Sequence, residues 1–425
     1  MSSARDKLGR WLCIVVTVAL AGACAPQQAP EQASGGETEE TPEEIVVGST
    51  LPLTGAESRA GGLFKEGYEL AVAEVNDAGG VQVGDQQVPV RLELLDDTST
   101  QGNTVNLAER LITQDGVDFL LGTYSTALVE AQSTVAEQNQ VPYVNGGGAA
   151  TSIYARGYQW VFGNLAPVEL LATNEMEWIA QEQEAGNLSE PAKIAILWEN
   201  TSHGEDFRKG INDFVEQSDG AYEVVVDESF ELESRDFSAV LNQVRSADAD
   251  LFMVDAHLPD YITMHRQYLQ AGMCHEVITY GARGTESDAR EALGEKNTDN
   301  ILSAVWWNAQ LGSEGLNKTF VESFQAEYDR EPEWYHAVAY EAARALFTAI
   351  TEAGSTDRAA VRDALASLEM ESILPGGMLS FPEDSGFQAQ YPFVVQQNQG
   401  AESPIIYPED VATAEGRAPN PSCEQ

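Results

Sequence analysis

The chain has 425 residues, 43% of them hydrophobic, with 23 Lys and Arg against 68 Asp and Glu and a formal charge of −45. That length predicts two or three domains, and the apolar content excludes disorder throughout. The acidic excess repels phosphate backbones and anionic head groups, so nucleic acid is excluded as a partner.

Arg5, Lys7 and Arg10 precede an apolar run, Trp11 to Leu20, of signal-sequence length and too short to span a bilayer. The run ends at Leu20-Ala21-Gly22-Ala23-Cys24. This reads as a lipoprotein cleavage site in which Cys24 becomes the acylated N-terminus. Ala21-Gly22-Ala23 also fits plain secretion. A signal peptide is therefore expected over 1–23. A flexible tether follows over 24–44, where Gln, Pro, Glu, Ser, Gly and Thr offer nothing to build a core. Cys274 and Cys423 remain in the body, and in an exported chain they invite a disulfide, the alternative being two free thiols.

From Ile45 the hydrophobic period alternates between strand and helix. A strand at 45–48 leads into a helix at 62–78, stopped by Gly79-Gly80. Strand 88–95, helix 103–114, strand 117–122, helix 126–139 and strand 141–144 follow, the last running into Gly146-Gly147-Gly148. Residues 151–167 read as irregular. A second unit then has strands at 193–198, 222–227, 250–255 and 276–280, with helices at 205–217, 236–247 and 259–271. Residues 302–307 precede helices at 314–329, 335–353 and 357–368, and β-like pieces at 377–381 and 391–396. Such alternation predicts an α/β fold with parallel sheets covered by helices on both faces.

Open α/β sheets bind ligands beyond the carboxyl ends of their strands, where helix N-termini present free N–H groups. Candidates are therefore residues just after strands. Tyr124, Ser125 and Thr126 follow 117–122, where hydroxyls and N–H groups suit a carboxylate or an ordinary helix cap. Gly147, Gly148 and Ala149 follow 141–144 and let the backbone approach a ligand. His203, His257 and Arg283 follow three strands of the second unit. Trp306-Trp307 is costly to expose, which predicts one ring in the core and one in a cleft wall. No nucleotide, nucleophile-elbow, zinc-protease or C-x-x-C motif is present. His265, Cys274 and His275 match no standard metal spacing. No enzyme activity, metal or cofactor is expected.

Several segments in order resemble the branched-chain-amino-acid-type solute-binding proteins of ABC importers: GSTLPLTG at 48–55, AVAEVNDAGGV at 71–81, LLDDTST at 94–100, Gly122-Thr123-Tyr124-Ser125, VPYVNGGGAAT at 141–151, WENTSHGEDF at 198–207 and YHAVAYEAARAL at 335–346. The resemblance covers about 45–400 and implies the type I periplasmic-binding-protein fold. That means two Rossmann-like lobes, here 45–165 plus 311–386 and 166–310 plus 387–425, joined by three crossovers near 164–167, 307–312 and 384–390. Cys274 and Cys423 would share the second lobe.

The resemblance also implies an amino acid or related small solute held by Ser125, Thr126 and the loop Gly147–Ala150, with His203 and His257 where relatives carry aromatic rings. Relatives place an acid for the ligand ammonium after the strand matching 276–280. This chain has Gly281-Ala282-Arg283 there. Either Glu199 or Asp255 substitutes, or the ligand is no simple α-amino acid. Arg283 and Arg59 would favour a carboxylate or amide. Expected partners are an ABC permease and its ATPase, and a membrane reached through the lipid anchor, with the protein itself a monomer. The alternative role is a sensory module that passes its occupied state to a signalling partner.

Overall fold

The structure is a computed structural model. It describes residues 42–312 and 314–424, with Cys423 and Glu424 as backbone only. The expected signal peptide, Cys24 and nearly all of the tether lie outside the described residues.

Two sheets organise the body. The first has five parallel strands in the order Val90–Asp96, Ile45–Leu51, Phe119–Leu121, Tyr143–Asn145 and Val161–Gly163. The second runs Ile405–Tyr407, Val394–Gln397, Leu302–Val305, Val277–Thr279, Leu251–Asp255, Ala192–Glu199 and Tyr222–Phe230. The last five are parallel; Val394–Gln397 pairs antiparallel with Leu302–Val305 on one side and with Ile405–Tyr407 on the other. The central strands are buried along both faces, as in IVVGSTL and LFMVD, because helices cover each side. The chain passes from the first sheet to the second after Gly163, returns after Val305, and passes again between Gln388, which bridges to Gly163, and Val394. This is an α/β, two-lobed body with a cleft between the lobes.

Helix Trp334–Ala353 packs on helix Ser58–Asp77 in the first lobe. A run of small residues, Ala337, Ala339, Ala342, Ala343, Ala345 and Ala349, is buried along it and brings the two helices close. Its start is fixed by a reciprocal cap between Glu333 and His336. Among the described residues no helix is long and apolar enough to cross a membrane.

The structure adds elements that the hydrophobic period does not reveal. The stretch read as irregular holds a short helix, Thr151–Tyr154, and the edge strand Val161–Gly163. A three-residue strand is too short to show a period. Helix Val168–Glu184 carries buried Glu175 and Gln183 among its apolar positions, which blurs its stripe. A hairpin, Val81–Val83 with Gln86–Val88, precedes the strand expected over 88–95, which begins at Val90.

Cys274 is disulfide-bonded. The side chain of Cys423 lies outside the described residues, but the backbone beside it is docked nearby. Asn420 N–H donates to Glu276 O at 2.8 Å, and Asn300 Nδ2 donates to Ser422 Oγ at 3.1 Å.

Candidate functional site

Strands of both sheets end at one pocket. Tyr124, Ser125 and Thr126 enter it from the start of helix Thr126–Asn139. Ser125 occupies the N-cap position yet makes no side-chain cap hydrogen bond, so its hydroxyl is not used by its own helix. Gly147 and Ala149 come from the loop after Tyr143–Asn145. A Cβ on Gly147 would lie 1.9 Å from the Thr123 carbonyl oxygen, so only glycine lets the two loops lie this close. His203, His257 and Arg283 enter from the second lobe, and Leu165, Trp306 and Trp334 form the apolar wall. The free interior is about 10 Å³, room for a single water beside the roughly 300–1,000 Å³ usual for ligand sites, so the pocket is nearly filled by its own side chains.

Behind the imidazoles stand two fully buried acids. His203 Nδ1 meets Asp255 Oδ2 at 2.7 Å, and His257 Nδ1 meets Glu199 Oε2 at 2.5 Å. A carboxylate accepts, so each Nδ1 carries the proton and each Nε2 is left for the pocket side. Burial disfavours the charge on His257, but Glu199 and Glu57 outweigh it and push the imidazole up to about 9. Burial likewise opposes ionisation of Glu199, yet His257, His203 and Arg283 hold it well below the usual carboxylate range. His257 is therefore a cation at neutral pH and Nε2–H a donor. Arg283 is 2% exposed. It donates through Nη2 to Tyr124 Oη at 3.0 Å across the cleft, and Nη1 lies 3.4 Å from Asp255 Oδ1. Burial opposes its charge, but Tyr124, Tyr335, Asp255 and Glu199 hold the guanidinium well above its ordinary range.

Several buried polar atoms on residues lining this pocket have no hydrogen-bond partner among the described residues: Thr126 Oγ1, His203 Nε2, His257 Nε2, Arg283 Nε and Trp334 Nε1. His257 Nε2 comes within 3.6 Å of Glu57 Oε1, too far for a good hydrogen bond. An unpaired buried polar atom is costly. Such a concentration on one pocket makes it the candidate ligand site.

The acid missing after Val277–Thr279 has a spatial counterpart. Gly281 has φ +53°, and a Cβ there would sit 2.8 Å from Asp255 Oδ1. The Asp255 carboxylate thus reaches the space beside position 281, but its oxygens already face His203 and Arg283. Glu199 is likewise taken by His257. Neither acid lines the pocket.

Other expected positions fall elsewhere. Gly148 faces Val129 and Ile153 and is not part of the lining. Arg59 stands outside the pocket and joins the lobes, pairing with Glu286 and Asp288 on one side and Glu333 on the other. Trp306 lines the pocket, whereas Trp307 packs edge-on against Phe320 and donates to Asn317 Oδ1 at 2.6 Å. His265 is core: it bonds the Tyr280 hydroxyl and Asn297 O, and burial pushes it down to about 4. Trp334 and Leu165 escaped the sequence reading because neither follows a strand of the regular alternation. Glu199, His203 and Asp255 could bring three ligand atoms together for a metal. Arg283 at Asp255, and the His257 cation at Glu199, already balance those charges.

Further contacts hold the lobes together at the mouth. Thr151 N–H and hydroxyl donate to Asp206 Oδ2 at 2.7 and 3.0 Å, and Ser202 Oγ donates to Glu130 Oε1 at 2.8 Å.

The sequence profile described as periplasmic binding protein matches residues 44–401. Leu/Ile/Val-binding protein homolog 8 of Brucella abortus is 26% identical over 383 residues, covering 88% of this chain and 93% of that one. Among solved structures, the branched-chain amino acid transporter substrate-binding protein LivJ of Streptococcus pneumoniae, in complex with isoleucine, superposes with a TM-score of 0.74 at 18% identity, over 86% of this chain and all of that one. A solute-binding protein of an ABC transporter from R. palustris, in complex with benzoate, superposes with a TM-score of 0.71 at 21% identity, over 85% of this chain and 95% of that one. The profile spans most of the chain, and the fold agrees with it. The protein belongs to the periplasmic binding protein family.

Proposed function

We propose that the protein captures a small carboxylate-bearing solute by closing its lobes and hands it to an ABC permease whose ATPase supplies the energy. One observation carries the ligand class. Thr126, His257 and Arg283 each hold a buried donor atom without a hydrogen-bond partner on a pocket whose lining, among the described residues, contains no Asp or Glu. Donors and cations suit a carboxylate. An ammonium would need a paired anion or several acceptors. In this reading Ser125, Thr126, Arg283 and His257 hold the carboxylate, and Leu165, Trp306 and Trp334 pack on the apolar remainder. Closure then shifts the population toward the form that the permease recognises.

A branched-chain amino acid is the second reading. The name of the Brucella relative and the isoleucine bound in LivJ favour it; the benzoate complex favours the first. Leucine and 4-methylpentanoate share a skeleton and differ only in the ammonium. Calorimetry and thermal shift on the protein from residue 25 onward should show 4-methylpentanoate or benzoate binding more tightly than leucine, with a matching rise in Tm. Binding of leucine without 4-methylpentanoate would replace the first reading with the second.

The lobe boundaries given above, a monomeric state and an acylated Cys24 complete the proposal. The chain passages after Gly163, after Val305 and before Val394 support the boundaries. If Cys24→Ser leaves the protein in the membrane fraction, lipidation is not the anchor.

A further inference from the structure

Beside the ligand pocket lies a second, larger cavity of about 540 Å³, open to solvent. Its walls come from residues 282–290 and 401–403 of the second lobe, the connection 307–310, and residues 330–334 at the start of helix Trp334–Ala353. The two spaces are neighbours across a thin wall. Ala282 lines the larger and Arg283 the smaller; Trp307 lines the larger and Trp306 the smaller; Trp334 lines both. Trp334 is held as a plate, stacked on Tyr335 with ring centroids 3.7 Å apart and tilted against Trp306 at 4.8 Å.

We infer that Trp334 is the partition that limits ligand length, closing the ligand pocket off from the larger cavity behind it. This rests on the carboxylate reading above. The small pocket concentrates its donors around Ser125, Thr126, His257 and Arg283, and the rings of Trp306 and Trp334 supply most of its apolar surface. A carboxylate anchored on those donors points its other end at Trp334. Past the indole, the lining turns polar, with Glu286, Glu333, Glu402, Asn308, Gln310 and Arg290. Arg290 is already committed to Ala401 O, Asn398 Oδ1 and the Ser403 hydroxyl. Glu286 and Glu333 are likewise committed, to Arg59. The partition therefore restricts the wild type to compact acids, and its removal joins the two spaces.

The test compares benzoate with biphenyl-4-carboxylate by calorimetry on wild type, Trp334→Ala and Trp334→Leu. Trp334→Leu keeps an apolar plug of smaller reach if Trp334→Ala fails to fold. Wild type should prefer benzoate by at least a hundredfold. In either variant the longer acid should gain at least tenfold while benzoate weakens severalfold. A wild type that binds both acids equally overturns the inference, as does a folded variant that keeps the wild-type preference. If wild type ignores benzoate but binds leucine, the carboxylate reading fails instead. Leucine against 4-phenylphenylalanine then tests the partition on the same variants, with the same two refuting results.

Discussion

Replacing Arg283 by methionine tests the centre of the proposed site. The guanidinium is buried, bonds Tyr124 across the cleft at 3.0 Å, and faces Asp255 at 3.4 Å, while Nε has no partner among the described residues. Methionine keeps much of the stem volume and removes the charge. Truncating one side of a buried charge pair costs a bound ligand roughly 2–5 kcal/mol. At about 1.4 kcal/mol per decade this is on the order of 30- to 4,000-fold in Kd for benzoate or 4-methylpentanoate. Arg283→Lys should fall between, because an ammonium keeps the charge but loses the planar fork. Folding stability should fall far less than for an ordinary buried pair, because Asp255 retains His203 at 2.7 Å. Calorimetry gives the Kd, and denaturant unfolding of the same samples gives the stability. If Arg283→Met binds the carboxylate within threefold of wild type while remaining folded, Arg283 does not hold the ligand and the donor argument fails.

The His257 imidazole is raised to about 9 in the fold against about 6.5 unfolded. A raised pKa stabilises fully below the unfolded value and is lost as pH rises through the folded one. Affinity for a carboxylate follows the charge of the folded imidazole alone, so it should hold from pH 6 to 8 and fall above about 9, and His257→Gln should remove that fall; loss through pH 6.5 would contradict the pairing with Glu199. Arg59→Ala leaves Glu286, Asp288 and Glu333 facing one another across the lobes. It should speed ligand release several-fold in stopped-flow fluorescence with little change in association, and an unchanged release rate would remove Arg59 from closure. Thiol titration of denatured, unreduced protein from residue 25 onward should find no free thiol if Cys274 pairs with Cys423; Cys274→Ser should then cost roughly 2–4 kcal/mol of stability. Two free thiols would rule the bridge out.

Much of the fold was legible because long buried strands and amphipathic helices repeat a strong period. Helix Thr126–Asn139 begins and ends where the sequence pattern places it. Short elements were not legible. Val161–Gly163 is set by pairing with Tyr143–Asn145, a contact between segments that no local pattern announces. The site was legible where chemistry sits at strand ends, as with Ser125, His203, His257 and Arg283. It was illegible where residues arrive by tertiary packing. Trp334 lies just before the helix expected over 335–353, and Arg59 reads as a ligand-holding cation until the fold surrounds it with acids. Pairing was hidden as well: nothing in the sequence says that Asp255 and Glu199 are neutralised by His203 and His257, which decides whether either can meet an ammonium.

The acidic surface and the donor-lined pocket make opposing demands on an anionic ligand, and the conflict yields a test that contact geometry alone does not. A chain carrying −45 repels an approaching carboxylate at long range, while the attraction of Arg283 and His257 acts only once the ligand is inside. Salt shortens the long-range field from about 30 Å at 0.01 M to about 3 Å at 1 M, but screens buried contacts much less. For a net-anionic ligand the association rate should therefore rise with salt, on the order of tenfold across that range, with dissociation nearly constant. A zwitterion such as leucine carries no net charge and should show little change. Stopped-flow rates for 4-methylpentanoate and leucine at the two salt concentrations thus separate the ligand classes without any substitution. Falling association of 4-methylpentanoate with salt would mean that the pocket mouth is locally positive and steers the anion despite the net charge. The acid-rich exterior would then have no bearing on the encounter.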